Sequence, residues 1–149
     1  MATVEVGTAD KQGKPGAGRL QCVVVTPERT LFDALVDFVA LPLYDGELGV
    51  LPGRSPLIGR LGFGELRTRE GGTTRRYFVD GGFAQVRDDV VTVLTNRAVP
   101  ASDINTTTAS HELEQAQGRR ATTEYELDEK SKAIARARAQ LHVAGHRAG

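Results

Sequence analysis

Few residues in this chain are spaced for chemistry. His142 and His146 stand four apart, a spacing that puts two imidazoles on one helix face and could hold a metal ion. Gly145 lies between them and the sequence stops three residues after His146, so a fraying helix end is the plainer reading and no metal site is expected. Gly59-Arg60-Leu61-Gly62-Phe63-Gly64 is rich in glycine, but its spacing is wrong for dinucleotide binding and it reads as a turn with a bulge. The sequence contains no G-x-x-x-x-G-K-[ST], H-E-x-x-H or G-x-S-x-G pattern, so no catalytic residue and no cofactor are expected. Two features remain. Glu47 is a lone carboxylate inside a run of glycines and prolines, and Lys130, Lys132, Arg136 and Arg138 form a basic stretch with no acid after it. By itself the basic stretch reads as a solvated helix face, and its other use is docking on an acidic surface.

Composition narrows the classes further. Of 149 residues 40% are hydrophobic but only 5% aromatic, with no Trp, so any core is mainly aliphatic. Lys plus Arg and Asp plus Glu both number 19, so there is no net charge to draw the chain to nucleic acid or an anionic membrane. Cys22 is the single cysteine, which excludes an internal disulfide and a thiolate metal cluster, and its apolar neighbours make it a small core residue. No apolar stretch approaches the roughly 20 residues that span a bilayer, so direct membrane insertion is not expected and any membrane association runs through a partner.

The elements that position these residues fall in three parts. Residues 1–19 are small, polar and aperiodic and read as a flexible tail. Residues 20–100 carry short β-rich runs with frequent turn signals: Leu20 to Thr26, Ala34 to Leu43, Leu57 to Leu61, Gly64 to Arg69, Arg75 to Val79, Phe83 to Val86 and Val90 to Asn96. Gly71-Gly72, Asp80-Gly81-Gly82 and Arg87-Asp88-Asp89 read as turns between them, which together indicate an all-β sandwich or barrel. Residues 101–149 switch to helical period as an antiparallel two-helix hairpin. Its first helix is expected to be capped by Ser102 and to end at Gly118, and its Thr-rich opening makes it weak. The second is expected to open with a capping box, Thr123 with Glu126, and to present a Leu127–Ile134–Leu141 seam. Lys132 and Arg136 are then expected to project from the opposite face, while Lys130 snorkels from the seam.

One stretch organises the β part: Asp45-Gly46-Glu47-Leu48-Gly49-Val50-Leu51-Pro52-Gly53-Arg54-Ser55-Pro56-Leu57. Glycine and proline write its path as turn, short strand, turn, and a structural corner is its plainest reading. It also resembles the signature loop of the epsilon subunits of bacterial F-type rotary ATP synthases, roughly E-G-E-L-G-I-x-P-G-H-x-P-L. The resemblance extends through Thr26-Pro27-Glu28, Leu31-Phe32, Asp80-Gly81-Gly82-Phe83 (where the family pattern is S-G-G-x), Val90 to Leu94 and Lys132 to Leu141, covering about Leu20 to about Val143.

That resemblance implies a non-catalytic central-stalk subunit of a proton-translocating synthase, peripheral on the cytoplasmic face of the bacterial inner membrane. It implies the gamma subunit and the membrane-embedded c-ring as partners, with Asp45, Gly46, Glu47 and Leu48 as the c-ring contact and Gly49, Pro52, Gly53, Arg54 and Pro56 shaping the turn. Arg54 departs from the family's His. The resemblance further implies that Lys130, Lys132, Arg136 and Arg138 meet an acidic loop of the catalytic beta and alpha subunits and slow ATP hydrolysis. Some family members bind ATP through an I/L-D-x-x-R-A pattern. The matching Ile104-Asn105-Thr106-Thr107-Thr108-Ala109 lacks both the Asp and the Arg, so no nucleotide binding is expected. A nucleotide-sensing regulatory subunit and a β-sandwich adaptor unrelated to the synthase are the alternatives. Without the resemblance, the residues indicate a non-catalytic interaction module.

Overall fold

The computed structural model describes residues 18–145. Residues 1–17 of the expected tail, together with His146 and Arg147, lie outside the described residues. Arg19 is engaged with the β part: its guanidinium donates to the Leu35 carbonyl at 3.0 Å and pairs with Glu70 at 3.2 Å.

Eight strands come first: β1 (Leu20–Val25), β2 (Thr30–Val36), β3 (Phe38–Leu43), β4 (Gly46–Val50), β5 (Leu57–Glu70), β6 (Thr73–Arg87), β7 (Val90–Leu94) and β8 (Ala98–Pro100). A 3-10 turn at Ala101–Asp103 leads to α1 (Thr106–Gln117) and α2 (Glu124–Ala144). The strands pair in the order β2-β1-β7-β6-β5-β3-β4, with β8 against β6. Among these pairings β1 with β7 is parallel, while β1 with β2 and β6 with β7 are antiparallel. This is the sandwich followed by a helical hairpin that the sequence led us to expect.

The sandwich is made by two long strands that pass from one layer to the other. β5 and β6 pair in one register from Leu57 opposite Val86 to Glu70 opposite Thr73. The second half of β6 pairs with β7, its first half with β8, and the second half of β5 with β3. Core residues change parity along both strands, from Leu61 to Leu66 in β5 and from Val79 to Ala84 in β6. Side chains of a regular strand alternate faces, so a parity change requires a local bend. The bend falls at Gly62 and at Gly81-Gly82, whose φ values of 70° and 105° suit glycine.

The expected turn at Asp80-Gly81-Gly82 and the expected break at Gly62-Phe63-Gly64 are thus bends inside continuous strands. The reverse holds for Ala34 to Leu43, which divides at Asp37 into β2 and β3. The strands on either side pair with different neighbours, β2 with β1 and β3 with β4 and β5, and at the change the Asp37 carboxylate accepts from the Gly71 N–H at 2.7 Å and pairs with Arg19 at 3.5 Å.

Leu20, Cys22, Val24, Val39, Leu41, Val50, Leu66, Val79, Val91 and Val93 make an aliphatic core at 0% exposure. A second, smaller cluster joins the hairpin to the outer face of the sandwich through Phe78, Ala101, Ile104, Val143 and Ala144. Sixteen buried residues form the first cluster and five the second, and two of those five are alanine. At about 1.5–3 kcal/mol for each large apolar side chain buried, the hairpin is held far less firmly than the sandwich holds itself.

The hairpin differs from expectation in two respects. Ser102 lies in the 3-10 turn, and the cap of α1 is Asn105, whose side chain accepts from the Thr108 N–H at 3.0 Å. The buried face of α2 is Ala137, Gln140, Val143 and Ala144, while Leu127 is 51% exposed. The facing residues of α1 are Ala109 and Ala116, so the helices meet through small side chains. The Thr123–Glu126 capping box and the end of α1 at Gly118 form as expected.

Candidate functional site

The signature loop folds as β4 between two turns. Leu48 packs inward against the sandwich core, whereas Asp45, Gly46 and Glu47 are exposed at the rim. Glu47 is not isolated: its Oε2 accepts from Arg67 Nη1 at 3.2 Å. The same Nη1 reaches Glu65 Oε1 at 3.3 Å, and Arg76 reaches that oxygen at 3.2 Å. Glu65 is only 8% exposed at its side chain, so the two guanidiniums cover a buried carboxylate on the outer face of the sheet. Beyond β4, the Gly53 N–H donates to Asp89 Oδ1 at 2.7 Å, which fastens the loop to the β6–β7 turn. Arg54 and Pro56 are exposed, and Pro52 is half-buried.

A second surface is the outer face of the other layer. Val25 of β1 stands beside Leu94 of β7, Leu94 beside Phe83 of β6, and Phe83 beside Arg60 of β5. Leu94 is 53% exposed, Phe83 56% and the neighbouring Ile58 74%. An apolar row across β1, β7 and β6, with Ile58 of β5 diagonal to Phe83 and beyond it Arg60, is more than the scattered exposed residues of an ordinary surface. The sequence reading missed it because it treated the β segments one at a time; their alternation read jointly, with register, would have exposed it.

The third surface is the basic stretch on α2, and the structure separates its members. Arg138 is exposed and Lys130 half-buried. Lys132 pairs with Asp128 at 3.1 Å and Glu129 at 3.8 Å on its own helix. The hydrogen bond to Asp128 and the charges of Asp128 and Glu129 hold its ammonium above the ordinary lysine range. Arg136 does not project freely as expected. Its Nε donates to both Asp80 carboxylate oxygens, at 3.2 and 3.1 Å, and its guanidinium stacks over Phe63 at 4.7 Å from the ring centroid. The reason is the buried face of α2: Arg136 adjoins Ala137 and precedes Val143 by seven residues, two helical turns, so it faces the sandwich.

At the hairpin's turn, hydrogen bonds from the Thr122 and Thr123 N–H groups hold the Glu126 carboxyl below its ordinary range, so the cap of α2 is charged at neutral pH. The stretch compared with the nucleotide pattern is structural in this conformation: Ile104 is 5% exposed within the small cluster, and Asn105 caps α1. Among the described residues no group of three His, Cys, Asp or Glu is placed to hold a metal ion, and no helix is long and apolar enough to cross a membrane.

Comparison with known proteins gives a consistent result. A family model described as ATP synthase, delta/epsilon chain, β-sandwich domain, matches residues 19–101. A Rhodopirellula baltica protein named ATP synthase epsilon chain is 52% identical over 124 residues, covering 83% of this chain and 97% of its own length. One of the same name from Rubrobacter xylanophilus is 39% identical over 118 residues, 78% of this chain and 81% of its own. Among solved structures, a chain of the Euglena gracilis mitochondrial ATP synthase, in an assembly of OSCP, F1 and c-ring, superposes with a TM-score of 0.77 at 26% identity, covering 87% of this chain and 82% of that one. A chain from the Tetrahymena thermophila mitochondrial ATP synthase central stalk and c-ring shares the fold, with a TM-score of 0.67 at 11% identity over 84% of this chain and 96% of that one.

Proposed function

Because this chain belongs to the delta/epsilon family of ATP synthase chains, and within it to the epsilon chains, we propose that it couples rotation of a proton-driven c-ring and of the gamma subunit to ATP synthesis. The chain is a subunit of an ATP synthase complex, not the catalyst. In this reading the sandwich grips gamma through the apolar row of Ile58, Phe83 and Leu94 and rests on the c-ring through Asp45, Gly46, Glu47 and Leu48. The observation that carries it is that row, an exposed apolar sheet face beside a loop whose carboxylate is tied into the sandwich through Arg67. A packed sandwich transmits torque because its interior resists deformation. The solved relatives come from assemblies described as containing a c-ring, which supports placing this chain there.

The weakly held hairpin is the movable part. Residues 101–149 leave the sandwich of residues 20–100, and Lys130, Lys132, Arg136 and Arg138 meet an acidic loop of the catalytic beta and alpha subunits, slowing ATP hydrolysis. A low-stability element with a second docking place has the makings of a switch. Nucleotide binding plays no part, since Asn105 and Thr108 replace the charged pair. The complex lies on the cytoplasmic face of the bacterial inner membrane, with this subunit peripheral.

The test is ATP hydrolysis by the purified catalytic head stripped of this chain. Adding the whole chain is expected to slow hydrolysis, and adding a version ending at Pro100 is expected not to, while both still bind gamma. Equal effects from two versions that both bind would remove the inhibitory hairpin from this account. Failure of gamma and the c-ring to co-purify with a tagged chain would remove the central-stalk placement itself.

A further inference from the structure

Through the contact between Arg136 and Asp80 the middle of α2 reaches the sandwich with a charge. Around it the fit is loose: a groove of about 610 Å³ opens between α2 and the bends of β5 and β6, lined by Arg60, Phe63, Asp80, Lys132 and Arg136 among others. Lys132 turns back to acids on its own helix, whereas Arg136 bridges to the sandwich. The apolar cluster that also fixes the helix lies about two turns further on, at Val143 and Ala144.

Asp80 is built to receive that guanidinium. Its side chain is 15% exposed, against 38% for Arg136. Its backbone N–H donates to the Arg97 carbonyl at 3.0 Å and to Thr95 Oγ1 at 3.2 Å, and its carbonyl accepts from the Asn96 side chain at 3.3 Å. It also occupies the bend of β6, where the strand changes face, and it is an acid where the S-G-G-x pattern that the segment resembles has Ser. A half-buried ion pair with a stacked guanidinium is stronger than an exposed one, because less water competes for either charge.

We propose that Asp80 acts as an internal stand-in for the acidic partner surface, holding Arg136 against the sandwich until a carboxylate of the catalytic subunits takes its place. This rests on the inhibitory reading of the hairpin given above. Arg136 cannot stay on Asp80 once the hairpin has left the sandwich, so docking on the partner and docking on the sandwich exclude one another. Exchange of one carboxylate for another leaves Arg136 satisfied in both positions, which removes the penalty that stripping a guanidinium of its partner would otherwise impose. The depth of the Asp80 contact then sets how much of the chain is ready to inhibit, and a partner gains only by its differential affinity for the released form.

The experiment uses the full chain in two measurements. In hydrogen exchange on the isolated chain, Asp80→Asn and Arg136→Gln are each expected to speed exchange in the middle of α2 about three- to tenfold, and the double variant no further, since both changes break one contact. In hydrolysis by the stripped catalytic head, Asp80→Asn is expected to inhibit at a concentration lower by a similar factor, whereas Arg136→Gln needs a higher one. Opposite directions in hydrolysis with equal directions in exchange are the signature of competition. Exchange unchanged in both single variants overturns the proposal even if the natural chain inhibits. A natural chain that leaves hydrolysis untouched overturns the inhibitory reading, and the competition falls with it.

Discussion

Arg67 Nη1 lies 3.2 Å from Oε2 of Glu47, joining the exposed tip of the signature loop to the second half of β5. Because the same guanidinium also covers the buried Glu65, the two ends of the contact are unequal. Arg67→Ala is expected to cost about 1–2 kcal/mol in urea unfolding, since the buried Glu65 loses one of the guanidiniums that cover it. Glu47→Gln is expected to change stability by less than about 0.5 kcal/mol, as Glu47 is 54% exposed at its side chain. The same Glu47→Gln change is expected to lower proton-driven ATP synthesis in the reassembled complex while hydrolysis by the detached head is unaltered. Full synthesis by that variant would take Glu47 out of the c-ring contact.

Cys22 supplies a pH test of the core. Burial, with a smaller contribution from the negative charge of Asp33, pushes its thiol from the ordinary 9.0 up to about 12. The fold therefore favours the neutral thiol. That contribution is fully present below pH 9.0 and is lost as pH rises from there toward about 12, because the unfolded chain releases the proton first. Relative to Cys22→Ala, the natural chain is expected to lose about 1–2 kcal/mol between about pH 8 and about pH 10.5. Parallel stability curves for the two proteins across that range would show that the thiol is not shielded. Thiol reagents are also expected to modify Cys22 only upon unfolding.

Gly82 tests the bend of β6. At φ 105° a side chain is already strained, and an added Cβ would run into the Leu94 carbonyl oxygen and come within 2.8 Å of Thr95 Cα, both backbone atoms that cannot swing aside. Gly82→Ala is expected to cost about 3 kcal/mol or more, or to prevent folding, as read by thermal unfolding. Gly72→Ala meets nothing within 4 Å and serves as the control at a neighbouring hairpin. Equal stability of the two variants would mean that the strand relaxes at the bend.

The apolar row can be tested without disturbing the core. Phe83 and Leu94 point away from the sandwich interior, and Ile58 is 74% exposed. Ile58→Asp combined with Phe83→Asp is expected to weaken binding to gamma by at least about tenfold in a pull-down or titration, with little change in unfolding. Undiminished binding would place the gamma contact on another face.

Much of this was legible in the residues, and what was missed has definite causes. The β character, the Thr123–Glu126 cap and the stop at Gly118 follow from local rules, and local structure obeys them. Gly62 and Gly81-Gly82 misled because glycine marks a turn and a bend with the same letter; only the register of β5 on β6 tells them apart. Asp37 divided a run that looked continuous because its partners, Arg19 and Gly71, are distant in sequence. The Leu127–Ile134–Leu141 spacing misled because a seven-residue repeat rewards size, whereas α1 presents Ala109 and Ala116 and selects small residues opposite. Arg136 could not be placed without knowing that face, and so neither could its tie to Asp80.

The parallel pairing of β1 with β7 has a consequence for how the chain is made. Gln21 finds its neighbour Val90 only after about seventy intervening residues have been synthesised. Until then the ribosome holds a β1–β2 hairpin whose β1 edge is still open, a strand edge that other chains could join. The helices emerge after the strands, onto a platform that is by then complete. Birth order thus makes the hairpin an addition to a finished body, and a part added after the body is built can also leave without the rest coming apart.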